Sequence, residues 1–285
     1  MSALSFTVLA GPSSAQVSEV TGSAFGASGN VSLFRAPPIV FNPTPSVTLP
    51  SAGGDESASA PSITFQAGPA QPLTTGQADV STQGTTGAGG SVTSTATLQN
   101  VVVGGTTATT LSATCTADET SGTGSTTVTG GRVPTSDVDR NTEGDETYTD
   151  VPANPTVNFE LDGLVPSVGT DYYRVVFNEQ VVSGTSITVR AAHFYLGENP
   201  APIEQGGPVA TGDVIVGEVT CGIAGGGGPG PTTTVVDGVT TTTMGGGVTT
   251  TTMGGGVTTT TVGGGVPTTT ACPTAPAPCP TPTTV

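Results

Sequence analysis

Residues 186–195 read SITVRAAHFY, and this stretch decides the fold. Apolar and polar residues alternate through Ile187-Thr-Val189-Arg-Ala191, and the run continues through Ala192 and His193 to Phe194. A period of two places one face of an extended strand on a core and the other toward water. The β-branched and aromatic residues that fill it suit a pleated, half-buried surface.

The same reading extends outward along the chain. It predicts strands over Gly29–Phe34, Ser62–Gln66, Gly76–Thr82, Val92–Val103 and Thr109–Thr116. Further strands are expected over Ser125–Thr129, Pro155–Leu161, Asp171–Gln180, Ser186–Tyr195 and Asp213–Thr220. Clusters of Gly, Pro, Asn and Asp separate them as turns. Helix formers with a period of 3.6 are absent over any useful length, and no strand–helix alternation supports a parallel sheet. The expected fold is all-β: one antiparallel β-sandwich, or a barrel-like closure of it, over residues 16–222.

Composition narrows the class. The 285 residues include 43 Gly and 24 Pro but no Trp, and 9% are charged, against about 25% in ordinary soluble domains. Lysine is absent, so the five cations are Arg35, Arg132, Arg140, Arg174 and Arg190, and the net charge is −16. Phosphate backbones and anionic headgroups repel such a chain, which argues against nucleic-acid or membrane-surface partners. The acidity is instead expected to keep an extracellular protein soluble and monomeric.

Both ends differ from the middle. Residues 1–15 hold an apolar run, Ala3–Ala10, and then small residues at Ser13 and Ala15 that suit a signal-peptidase cut before Gln16. No basic residue precedes them, so the segment reads as a truncated signal peptide or a disordered N-terminus. Residues 223–285 carry the repeats VTTTTMGGG (239–247 and 248–256) and VTTTTVGGG (257–265). A nine-residue period is too short for a helical solenoid unit, and these repeats lack the aspartate of calcium-binding nonapeptides. With little apolar surface to bury, this tail is expected to be a disordered stalk, of a composition that O-glycosylated stalks share. No apolar stretch reaches the ~20 residues that span a bilayer, and no LPxTG-like signal is present.

Four cysteines fall into two pairs. Cys115 and Cys221 each follow a strand-like run, and a bridge between them closes a loop of roughly a hundred residues, worth about 3–5 kcal/mol. The alternative is two buried thiols in a reducing compartment. Cys272 and Cys279 flank Pro-Thr-Ala-Pro-Ala-Pro and suit a local loop or a link between chains. With no CxxC and a single histidine, little remains for a zinc site.

Several stretches together resemble a known group. They are Pro43–Pro50 (PTPSVTLP), Thr75–Gly84 (TGQADVSTQG) and Ala113–Ala117 (ATCTA), then Val176–Gln180 (VFNEQ), Ile187–His193 (ITVRAAH) and Asp213–Gly217 (DVIVG). In this order they resemble the actinobacterial exported proteins of the choice-of-anchor P family. The resemblance covers roughly residues 20–222, and its most specific part is Asn-Glu-Gln followed by a strand ending in Ala-x-His. It implies export and a surface role and supplies no enzymatic activity or ligand. The tail departs from the family's pattern by carrying no recognisable anchor.

His193 is the only histidine, and no G-x-S-x-G turn accompanies it, so a structural role within the sheet outweighs catalysis. Glu179, in the block Asn178-Glu179-Gln180, is the expected partner of His193. Asp137, Asp139, Asn141, Glu143 and Asp145 place oxygen donors at every second position, as a calcium-holding turn requires. Counting from Asp137, the sixth and twelfth positions are Thr142 and Tyr148, so the EF-hand pattern fails and a solvated turn competes. Paired carboxylates for glycoside hydrolysis lack the aromatic platforms that sugar sites use. The sequence therefore favours a non-catalytic extracellular or cell-surface module with a protein or glycan partner. A calcium- or carbohydrate-dependent binding module comes second, and a secreted hydrolase third.

Overall fold

The computed structural model describes residues 16–33, 36–67, 70–137, 146–165, 172–197, 210–224, 232–236, 239–244, 248–253, 257–261 and 268–271. The first seven strands are β1 (Glu19–Leu33), β2 (Ile39–Thr48), β3 (Gly53–Ala60), β4 (Ile63–Ala67), β5 (Ala70–Thr75), β6 (Ala78–Thr85) and β7 (Ser91–Val103). Next come β8 (Thr106–Ala117), β9 (Gly122–Thr129), β10 (Arg132–Asp137) and β11 (Glu146–Asp150). They are followed by β12 (Phe159–Leu164), β13 (Tyr172–Ser183), β14 (Ser186–Leu196) and β15 (Ala210–Ala224). All are antiparallel and form one unit, Val17–Ala224, of two facing sheets.

The first sheet has the order β12-β13-β14-β15-β1-β2. The second is built on the long hairpin β7–β8, paired from Val92↔Ala117 to Val103↔Thr106. The far edge of β7 is shared by β6 and β5, and that of β8 by β9 and β10. β3 pairs with β6, β4 with β5, and β11 with β10. This is an antiparallel sandwich, the architecture that the alternation of residues 186–195 predicts.

The expected strands are present, but five more accompany them. β2, β3, β5, β10 and β11 escape the sequence reading because Pro43, Pro45, Pro72 and Pro134 interrupt them or because, as in GGDESASA, only two alanines alternate. Proline is tolerated where a strand N–H faces away from the ladder, and β2 is indeed an edge strand. β15 runs to Ala224, two residues past the expected domain end at Gly222.

The core lies between the sheets and is made mostly of Val, Ala and Leu. Tyr173, Phe177 and Phe194 are its largest fully buried side chains, with Leu73, Leu98, Leu111 and Ile187. Tyr173 donates or accepts at Thr106 across 2.6 Å, and burial pushes its phenol above the ordinary range. Cys115 on β8 and Cys221 on β15 are disulfide-bonded, their Cα atoms 5.9 Å apart. The bridge therefore staples one sheet to the other through the buried interior. Beside it, the Ser94 hydroxyl donates to the Thr220 carbonyl at 3.1 Å and bonds Thr82 at 2.8 Å, which pairs the polar atoms next to the bridge.

A second unit contains the tail strands β16 (Thr232–Val236), β17 (Val239–Met244), β18 (Val248–Met253), β19 (Val257–Thr261) and β20 (Thr268–Ala271). They pair in chain order as an antiparallel meander, with Val239↔Met253 and Thr249↔Thr261 in register. The VTTTT sequence supplies almost no apolar residues to bury. This is the entropy argument behind the disordered stalk expected from the sequence.

Candidate functional site

The outer face of the first sheet carries a cluster of charged and aromatic side chains, and a line of interrupted pairing puts it there. Between β13 and β14 the ladder runs from Phe177↔Ala192 to Glu179↔Arg190, passing over Asn178 and Ala191. Between β14 and β15 it passes over Ala191 and Gly217, and between β15 and β1 over Gly217 and Gly26. Between β1 and β2, Phe25↔Ser46 is followed by Ala27↔Thr44, leaving Gly26 and Pro45. The interruption thus crosses five strands at one level.

Local geometry explains two of these residues. Asn178 has φ 53° and Gly217 has φ 67°, in the left-handed region that asparagine and glycine enter most readily. A Cβ on Gly217 would also meet Ala191 at 3.1 Å and Leu98 of the facing sheet at 3.3 Å. Across this line the alternation changes phase. On β14, Ile187, Val189 and Ala191 face the core before it and Phe194 and Leu196 after it. Arg190 and His193, three positions apart, consequently share the outer face. On β15 the same slip separates Val214 and Val216 from Val219 and Cys221 and turns Asp213 and Glu218 outward.

Glu179 is the hub of the cluster. Arg190 Nη1 donates to its Oε2 at 2.8 Å, His193 Nδ1 lies 2.8 Å from the same oxygen, and the Tyr195 hydroxyl donates to Oε1 at 2.7 Å. Arg190 Nε donates in turn to Glu218 Oε2 at 2.6 Å. Burial acting alone would raise the Glu179 carboxyl. The hydrogen bonds from His193, Arg190 and Tyr195 overcome this and hold it at about 2. Tyr195 is pushed up to about 12, first by burial and then by its bond to the ionised Glu179.

The aromatic rings extend the cluster sideways. The rings of His193 and Tyr195 lie 4.0 Å apart at 35°, and the Arg174 guanidinium sits 4.0 Å over the Tyr195 ring. Arg174 Nη1 also donates to Glu160 Oε2 on β12 at 3.3 Å. His193 Nε2 is buried without a hydrogen-bond partner, and Asp213 Oδ2 is 3.9 Å from it.

Of the residues singled out in the sequence, the structure brings Glu179 and His193 together. Asn178 and Gln180 instead brace the strand. Asn178 Nδ2 donates to the Pro155 carbonyl at 2.9 Å, while Gln180 Nε2 donates to Asn178 Oδ1 at 2.8 Å and to the Gly124 carbonyl of the second sheet at 2.9 Å. Asp137 ends β10, where its backbone pairs with Glu146. Asp139, Asn141, Glu143 and Asp145 lie outside the described residues, as do Cys272 and Cys279. The sequence reading missed Arg174, Arg190, Tyr195, Asp213 and Glu218. Their signal is the phase change itself, apolar positions at 187, 189 and 191 giving way to 194 and 196.

The second sheet presents a different surface. Ser57, Ser81, Thr95, Thr114 and Ser125 lie in one cross-strand row, each opposite the next. Neighbouring rows contain a Thr93–Thr116 bond of 3.3 Å and a Thr97–Ser112 bond of 2.8 Å. An open groove runs over β3, β6 and β7, lined by Asp55, Ser57, Ser81, Gln83, Thr93 and Thr95.

No known protein family, curated protein or solved structure matches this chain.

Proposed function

We propose that this protein is a non-catalytic module that works outside the cell, displayed at a surface or secreted and projected by its threonine-rich tail. The observation that carries the reading is the Cys115–Cys221 disulfide, which joins the two sheets through the core and belongs to oxidising compartments. The resemblance to exported choice-of-anchor P proteins points the same way. The Glu179 cluster supports the non-catalytic part. Its carboxylate is held by three side chains, an arrangement that suits a structural role.

Protease shaving of intact source cells tests this reading. The chain has five arginines and no lysine, so elastase is a better choice than trypsin. Peptides from Val17–Ala224 released before lysis support display, and peptides found only after lysis overturn it.

One observation favours a second reading, a glycan-binding module. The groove over β3, β6 and β7 offers hydroxyls, an amide and carboxylates, a lining that matches a neutral polyhydroxylated ligand better than an anionic one. Calorimetric titration with neutral oligosaccharides tests it, and the absence of saturable heat removes it.

A further inference from the structure

His193 Nδ1 faces the Glu179 carboxylate at 2.8 Å. An ionised carboxylate only accepts, so Nδ1 carries the hydrogen, and in the neutral ring Nε2 bears a lone pair. That lone pair is buried and has no hydrogen-bond partner, while the side chain as a whole is 9% exposed. Its nearest charged neighbour is Asp213 Oδ2 at 3.9 Å, a second acceptor. Nε2 is thus a buried acceptor with no donor, facing the partly exposed Asp213 carboxylate, and an electropositive group between the two would satisfy both.

We infer that His193 Nε2 and Asp213 form an open binding site for a divalent transition-metal ion. Metal–nitrogen and metal–carboxylate distances are each about 2.0–2.2 Å, so one ion can bridge a 3.9 Å separation in a bent arrangement. The other side of the ring already has the arrangement that orients metal-binding imidazoles, in which a carboxylate fixes the tautomer. Here that carboxylate, Glu179, is itself fixed by Arg190 and Tyr195. The surrounding charge favours a cation, since Glu160, Asp162, Glu179, Asp213 and Glu218 outnumber Arg174 and Arg190 on this part of the sheet.

Asn30 stands directly across from Asp213 on β1 and is exposed. The Asp213 side chain is 40% exposed, so water can complete the coordination. Among the described residues no three His, Cys, Asp or Glu side chains gather as a closed metal centre. The site therefore differs from the closed zinc site that a single histidine argues against. An imidazole ligand selects zinc, nickel or copper over calcium.

The single histidine makes the test direct. Untagged full-length chain labelled with ¹⁵N-histidine is titrated with zinc chloride at neutral pH, following both ring nitrogens by NMR. Saturable movement of the Nε2 resonance is expected, with Nδ1 still hydrogen-bonded and no response to calcium chloride. Asp213→Asn, a partly exposed substitution, should keep the fold by circular dichroism and weaken zinc binding at least tenfold. Glu179→Gln should weaken it by about 10–100-fold. A ring found doubly protonated and unresponsive to millimolar zinc overturns the inference. So does zinc affinity unchanged in Asp213→Asn, which would mark adventitious binding to other carboxylates.

Discussion

Arg190 and His193 meet the same oxygen of Glu179, each at 2.8 Å. In a regular strand, residues three apart face opposite sides, so this shared contact exists only because the pairing skips Ala191. A break in the ladder of the first sheet thereby becomes a charged cluster on its outer face. The burial and the charge of Glu179 follow from that placement.

The first prediction concerns acid. The Glu179 carboxyl is held at about 2 in the fold, below its ordinary 4.5, so its contribution is fully present above 4.5 and is lost as pH falls toward 2. The loss is on the order of 2 kcal/mol after discounting for solvent screening at the rim. Urea denaturation between pH 6 and pH 2 measures it. Glu179→Gln should flatten that part of the profile, and an unchanged slope in the variant contradicts the role given to Glu179.

The second concerns the line of interrupted pairing. Gly217→Ala places a Cβ at φ 67° and within 3.1 Å of Ala191, and should cost about 1–3 kcal/mol. Thermal denaturation reads the change. A neutral substitution would show that Gly217 is dispensable and that the interruption has another origin.

The third concerns the core. Tyr173→Phe removes the 2.6 Å bond to Thr106 and leaves that hydroxyl buried without its partner, at a cost of about 1–2 kcal/mol. Thr106→Val in the same background should recover part of the loss, since it removes the stranded hydroxyl. A double variant less stable than Tyr173→Phe alone counts against the bond as the cause.

The fourth concerns the staple. Replacing both Cys115 and Cys221 by alanine opens a loop spanning 106 residues and should cost about 4–5 kcal/mol in the chain-entropy account. Reduction of the wild-type protein should shift the urea midpoint in the same direction. A change under about 1 kcal/mol would mean that the core of valine and alanine holds the sheets together unaided.

Much of the fold was legible in the sequence because the central strands alternate cleanly. Val92-Thr-Ser-Thr-Ala96-Thr-Leu98 on β7 and Ile187-Thr-Val189-Arg-Ala191 on β14 bury every second residue, as their pattern states. The edges were not legible. β3, reading GGDESASA, turns only Ala58 and Ala60 toward the core, too short and too weakly apolar a period to read. Proline in β2 pointed away from a strand that edge position permits. The site was half visible. A lone histidine and a nearby glutamate could be paired by elimination, but Arg190, Tyr195 and Glu218 join them only after the phase change, which looks in sequence like a lapse in alternation.

The most direct test of the central claim is the intact mass of the protein recovered from outside the cells that make it, measured before and after reduction. The account predicts an extracellular chain that gains at least two hydrogens on reduction, those of Cys115 and Cys221. A chain found only inside the cell, with both of these thiols already free, would contradict it.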